Sequence, residues 1–338
     1  MTRMAAEIRQ SAAAVAGCLA QPGAFAAIAQ AVRQRDPPVL LVCARGSSGH
    51  AGTFLRYLLA RELGLVAAAA MPSIASLYGR RQRVGGAFFV AISQSGRSPD
   101  LIRQTEDARA GGALTLAIVN DATSPLAVAC EHVLDIQAGP EHSVAATKTV
   151  LGSLAAALGL TQALTGSAAL AAALGRLPGR LTAAAGLDWS PLTAELARVD
   201  RMFTVGRGPG LAIAAEAALK LAETTGVAAL ACSSAELSHG PRALAGPDFP
   251  LLAFVQDDAA RPGTQAVLAD LAALGAPVFA AGLAGPGLRT LPTLPPDHAD
   301  TDLLPQLLAF YLATEAAARA RGRDPDHPPG LSKVTQTL

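Results

Sequence analysis

Three groups of residues have the types and the spacing to do chemistry. In "AISQSGRSPD", residues 91–100, the apolar run "GAFFVAI" ends in Ser93, Gln94, Ser95, Gly96 and Ser98. Small hydroxyl and amide donors at the tip of a strand suit the holding of an anion, and Ser98 followed by Pro99 also reads as a helix N-cap with proline at the first helical position. Without the lysine of a GxxxxGK[ST] loop, a phosphate monoester fits better than a nucleoside triphosphate. Taken alone, the same loop is equally a serine-rich turn carrying a cap.

In "AAEAALKLAETTG", Glu216, Lys220 and Glu223 stand at i, i+4 and i+7, on one face of a helix. Such a trio is ordinarily a solvated ion-pair ladder. The alanine and leucine around it predict instead that the charges are aimed into a cleft, where one carboxylate within reach of two adjacent carbons can move a proton between them. "SSAELSHGPRAL" sets Glu236 and His239 against a Gly–Pro turn, a setting in which a lone histidine is usually structural or exposed. Lys333 lies in "DPDHPPGLSKVTQTL", a terminal stretch with little core-forming power.

These groups need a scaffold, and the sequence alternates strand-like runs with helical stretches. "PPVLLVCARGSSG", "GAFFVAISQSG", "ALTLAIVND" and "EHVLDI" read as strands, with helix-period segments such as "AGTFLRYLLARELGL" and "SPDLIRQTEDARAGG" between them. That alternation predicts a parallel sheet covered on both faces. The pattern then recurs: Gly208 follows Gly46 by 162 residues, and Val255 and Gln256 stand at the same offset from Ser93 and Gln94. The fold class expected is therefore α/β, with two tandem doubly wound, flavodoxin-like parallel-sheet units. The boundaries expected are a helical arm over 1–25, a first domain over 26–180, a second over 190–320 and a tail over 321–338, the halves meeting near "RLPGRLTAAAGLDWSP". Where the first copy has its serines, the second reads "VQDDAARPG", and Asp257 and Asp258 there would repel an anion.

Composition narrows the partners. With 51% apolar and 16% charged residues and a net charge of +1, the chain lacks the basic footprint of a nucleic-acid binder. Its four cysteines (Cys18, Cys43, Cys130, Cys232) have neither metal nor redox spacing, and a reducing cytoplasm is the expectation. Glu7 and Arg9 interrupt any signal-peptide core. The uncharged stretch from Val150 to Gly175 is long enough for a membrane span, but its Ala, Gly, Ser and Thr content predicts a buried helix or helical hairpin.

The segments "SQSGRS", "HSVAATK" (142–148), "EAALKLAE", "ELSHGP" and "LSKVT" together resemble the sugar isomerase, or SIS, double-domain family. Within it the likeness is to the isomerase half of glucosamine-6-phosphate synthase and to the stand-alone glucosamine-6-phosphate deaminases. The resemblance implies that Ser48, Ser93, Gln94, Ser95 and Ser98 hold a sugar phosphate and that Ala145 lines the substrate site. It further implies that Glu223 moves the proton at sugar carbon 2, with Lys220 in the catalytic group. By the same likeness His239 would assist ring opening from a neighbouring subunit of a homodimer, and Lys333 would close over the reactive carbon. No metal or other cofactor is called for, and neither nucleic acid nor membrane is an expected partner.

The synthase begins with a glutaminase domain whose first residue is a catalytic cysteine, whereas this sequence begins with a helical arm, so deamination is the favoured chemistry. A deglycase acting on fructosamine phosphates, a galactosamine-6-phosphate deaminase or a plain aldose–ketose isomerase would keep the same residues. A non-catalytic sugar-phosphate sensor would keep the serine loop but has no need of Glu223, His239 and Lys333.

Overall fold

The computed structural model describes residues 1–333 of the 338-residue chain. Val334 and Thr335 of "LSKVT" thus lie outside the described residues. The chain forms two compact units, each with its own sheet.

One unit takes in residues 10–141 and 148–178 together with Ser332 and Lys333. Its strands are β1 (Val39–Ala44), β2 (Val66–Ala69), β3 (Phe88–Ser93), β4 (Leu114–Val119) and β5 (His132–Asp135), ordered β2-β1-β3-β4-β5 and parallel throughout. The sequences of β3 (FFVAIS) and β4 (LTLAIV) are buried at every position, as a parallel sheet covered on both faces requires. On one face Phe89, Ala91, Ala117 and Val119 pack with Leu101 and Leu126. The uncharged stretch forms two helices, Lys148–Thr165 and Ala168–Ala184, the first buried continuously from Lys148 to Thr161. Pro178 lies inside the second. Among the described residues no single helix is long and apolar enough to cross a membrane.

The other unit takes in residues 1–9, 142–147 and 179–331. Its strands are β6 (Arg201–Gly206), β7 (Ala228–Ser233), β8 (Leu251–Phe254), β9 (Val278–Ala281) and β10 (Leu288–Leu291), ordered β10-β9-β8-β6-β7 and again all parallel. Phe203, Val205, Leu251, Ala253, Val278 and Ala280 form its core with Leu268 and Leu271. Specific polar contacts tie the distant segments in. The Asp326 carboxylate accepts from the backbone N–H groups of Arg3 and Met4 at 2.8 and 2.7 Å, capping the helix Arg3–Arg9. Glu7 on that helix accepts from the N–H groups of His142 and Ser143.

The two strand orders are the same topology, so the expected pair of doubly wound sheets is present. In each the direction of winding reverses between the first strand and the third, β1 beside β3 and β6 beside β8, which is where ligands gather at the carboxyl ends of open α/β sheets. The repeat is exact at its landmarks: β1 and β6 begin at Val39 and Arg201, 162 residues apart. The helices that follow them end before Gly64 and Gly226, also 162 apart.

Candidate functional site

At the carboxyl ends of β1 and β3 the chain turns directly into the helices Gly46–Leu63 and Pro99–Ala110. Ser48 lies in the first turn of the former, which has no side-chain cap. Between β3 and the latter, the buried Ser93 hydroxyl accepts from Gly96 N–H at 3.2 Å and Ser95 Oγ from Arg97 N–H at 3.3 Å. The loop is pinned from the segment that follows β4, since Asn120 N–H donates to the Gln94 carbonyl at 3.3 Å and Leu126 N–H to the Gly96 carbonyl at 3.1 Å. Gly96 has φ +62, and a Cβ there would stand 2.1 Å from Ser124 Oγ, so both its backbone and its neighbour demand glycine.

Ser98 occupies the N-cap position before Pro99, but its hydroxyl makes no capping bond. The N-cap position and the proline after it are as expected, and the missing bond has a local cause. The N–H it would have taken, that of Leu101, donates instead to Asp100 Oδ1 at 2.9 Å. The other oxygen of Asp100 accepts from Arg45 Nε at 2.6 Å, tying the starts of the two helices together. Two helix N-termini therefore converge with Ser48, Ser95 and Ser98 around one sheet end, an arrangement fit to take an anion. Arg45 and Asp100 escaped the sequence reading.

Lys333 is not loose. Its Nζ donates to Glu141 Oε2 at 3.1 Å, and the buried Glu141 also accepts from Thr149 N–H at 3.2 Å and Thr149 Oγ1 at 2.7 Å. No local pattern in the sequence marks Glu141 or Thr149 as companions of Lys333.

In the other unit, the helix Pro209–Lys220 runs on into a π-helical turn, Leu221–Thr225, ended by Gly226. Thr224 Oγ1 and Thr225 Oγ1 donate to the carbonyls of Lys220 and Leu221, each at 2.7 Å, which bonds the side chains into the wider turn. Such turns recur at functional sites because they re-aim side chains. Glu216 and Lys220 are each 1% exposed, which rules out a solvated ladder. Lys220 Nζ lies 3.7 Å from Glu216 Oε1 and donates to Glu223 Oε2, while Tyr311 Oη donates to Glu216 Oε1 at 3.0 Å. Glu223 alone of the three reaches solvent, so one carboxylate is presented while a buried ammonium holds it from behind.

The strand β7 leads into the short helix Ser234–Leu237, whose start is capped by Ser233 Oγ accepting from Glu236 N–H at 3.1 Å. His239 follows, exposed, with its N–H donated to the Glu236 carbonyl at 3.0 Å. Ala145 is buried in the 142–147 segment, 1% exposed. In the second copy of the loop, Asp258 is consumed locally, accepting from Ala260 N–H and Gln256 Nε2, each at 2.9 Å. All four cysteines are buried, and burial pushes the Cys18, Cys43 and Cys130 thiols up to about 12, which leaves them unsuited to nucleophilic work.

The SIS domain profile matches residues 35–162 and 195–284. The isomerizing glutamine–fructose-6-phosphate aminotransferase of Halobacterium salinarum is 34% identical over 314 residues, covering 87% of this chain and 51% of that protein. The chain spans about half the length of the curated relatives it matches. Among solved structures, a candidate phosphosugar isomerase from Silicibacter pomeroyi DSS-3 superposes with a TM-score of 0.91 at 43% identity, covering 96% of this chain and 100% of that one. A glucosamine-6-phosphate deaminase from Thermotoga maritima shares the fold, with a TM-score of 0.71 at 18% identity over 97% of this chain and 100% of that one.

Proposed function

The chain belongs to the SIS domain family, and on that premise we propose that it is an isomerising amino-sugar-phosphate deaminase, converting glucosamine 6-phosphate and water to fructose 6-phosphate and ammonia. The observation that carries this reading is Glu223, a presented carboxylate held on a π-turn by a fully buried lysine. A sensor has no use for so costly an arrangement, because burying charge is unfavourable unless something is gained by it. Family membership and the isomerizing relatives supply the substrate class.

In this reading the serine loop and Ser48 take the phosphate, whose binding energy orients carbons remote from it. His239, exposed and with no ring partner among the described residues, assists opening of the sugar ring from a neighbouring subunit of a homodimer. In the open chain, Glu223 removes the proton from carbon 2 and returns it to carbon 1. The carbon-1 oxygen takes up a second proton and the carbon-2 nitrogen gives one up, so that the carbonyl becomes a hydroxyl and the amine an imine. Lys220 fixes the Glu223 carboxylate during both transfers. Water then adds to the imine, the carbon–nitrogen bond breaks and ammonia leaves. Lys333, anchored on Glu141, closes over the reactive carbon.

The test is to incubate the protein with glucosamine 6-phosphate and assay ammonia and fructose 6-phosphate together. Equimolar appearance of both is expected. Isomerisation of a sugar phosphate without ammonia would replace deamination with a plain aldose–ketose reaction, and neither product would remove the enzyme reading.

A further inference from the structure

The sheet of the unit that carries Glu223 has a cavity of its own at the carboxyl ends of β8 and β9, with a volume of about 90 Å³. Arg180, Val255, Gln256, Arg261 and Gln306 line it. It falls within a single unit, and the Glu216–Lys220–Glu223 cluster takes no part in it. Gly282 opens its floor: φ is +81, and a Cβ there would meet the Val255 carbonyl at 2.1 Å and Gln306 Nε2 at 2.9 Å.

Two buried polar atoms at this cavity have no hydrogen-bond partner among the described residues, Gln306 Oε1 and Arg180 Nε. Gln306 is 4% exposed, and its amide nitrogen is already donated to the Val255 carbonyl at 3.4 Å. Arg180 gives Nη2 to Asp302 Oδ1 and to the Pro295 carbonyl, both at 2.8 Å, while the Asp297 carboxylate stands 4.0 Å from Nε, beyond hydrogen-bond reach. The cavity therefore lacks one donor and one acceptor, and a single hydroxyl can supply both.

Arg180 is shared between Asp302 at 2.8 Å and Asp297 at 4.0 Å, and Arg261 stands 3.7 Å from Asp257, so no cationic side chain is left over to hold an anion. Val255, Leu294 and Pro305 add apolar wall against which C–H groups can pack. At roughly 15 Å³ for each water-sized centre, the space suits a ligand of about six heavy atoms. We propose that this unit carries a second binding site, for a neutral polyol: a three-carbon polyol, or the end of a longer sugar alcohol inserted edge-on. The site does not depend on the deaminase reading.

The experiment is ligand-observed saturation-transfer NMR on the full chain with glycerol, D-glucitol and inorganic phosphate as separate probes, in a Ser95→Asp background that blocks the serine loop. Saturable transfer to glycerol or glucitol is expected, at least tenfold weaker in Gln306→Met, which keeps length and loses the oxygen. Glucitol binding tighter than glycerol identifies a longer sugar alcohol, and equal binding a three-carbon polyol. Selective labelling of the glutamine side-chain amides reads the same contact without a variant, through a shift of the Gln306 resonance on polyol addition. Binding of phosphate in place of the polyols, polyol binding indifferent to Gln306→Met, or an unmoved Gln306 amide would overturn the proposal.

Discussion

Arg45 Nε lies 2.6 Å from Asp100 Oδ2, and through this one contact the first turns of the helices Gly46–Leu63 and Pro99–Ala110 are fixed to each other. Asp100 is buried and Arg45 half exposed, so the pair acts as a brace whose loss falls on the buried partner. Asp100→Asn keeps the shape and removes the charge. The expected result is a rise of about tenfold in KM for glucosamine 6-phosphate with kcat within about twofold, because the loosened brace weakens the grip on the phosphate while a phosphate once bound still orients the reacting carbons. Unfolding in urea should show a loss of about 1–3 kcal/mol, the usual consequence of weakening a charged buried hydrogen bond. A fall in kcat at unchanged KM would assign the pair elsewhere.

Ser95→Asp places a carboxylate in the loop that receives the phosphate. Ser95 is part-exposed and, among the described residues, its hydroxyl accepts from Arg97 N–H alone, so the fold has room for the change. Substrate binding should weaken by at least a decade through like-charge repulsion, with the melting temperature unaltered. An unchanged Michaelis constant would remove the loop from the site.

Glu223→Gln preserves the shape of the side chain on the π-turn and removes its basicity. Turnover should fall by roughly two to four decades. Exchange of the carbon-2 proton with solvent, followed by NMR in deuterated water, should fall with it. Exchange at the native rate would show that another group carries the proton.

A histidine lent across a twofold interface makes two defects complementary. Mixing inactive Glu223→Gln and His239→Ala subunits under conditions of exchange should restore activity to a ceiling of about one quarter of native. About half the dimers are then mixed, and each repairs one of its two sites. If exchange is demonstrated by mass spectrometry and no activity returns, His239 acts within its own chain or not at all.

The central strands β3 and β4 were legible because burial on both faces leaves an unbroken apolar run. The strands that escaped, β2 (VAAA), β7 (AALACS) and β10 (LRTL), all stand at sheet edges. Edge strands are half exposed, so their composition need not contrast with a loop, and alanine carries little strand preference. The serine loop was readable from its residue types, whereas the Arg45–Asp100 brace joins positions 55 apart with no local pattern to announce it. The spacing of Glu216, Lys220 and Glu223 was read as a regular helix face, because the threonine hydroxyls that bond the widened turn look in sequence like any helix end.

The repeat supplies a comparison inside one molecule. Counting back 162 residues from Glu216, Lys220 and Glu223 arrives at Phe54, Leu58 and Arg61, and Phe54 and Leu58 are fully buried. Two helix positions that are hydrocarbon in one unit carry ionisable side chains in the other, so the architecture itself has no need of polar groups there. Replacing the buried polar set together, as Glu216→Met, Lys220→Leu and Tyr311→Phe, should leave the protein about as stable as before, since apolar replacement of buried ionic groups is often neutral or stabilising and Glu223, which loses its partner, reaches solvent. The same triple variant should be catalytically dead, with Glu223 left on its turn and no ammonium behind it. A collapse of thermal stability would instead make the charges part of the scaffold. Preserved stability with lost turnover would mean that duplication gave this chain two equivalent helices, one of which surrendered its hydrophobic contacts to chemistry.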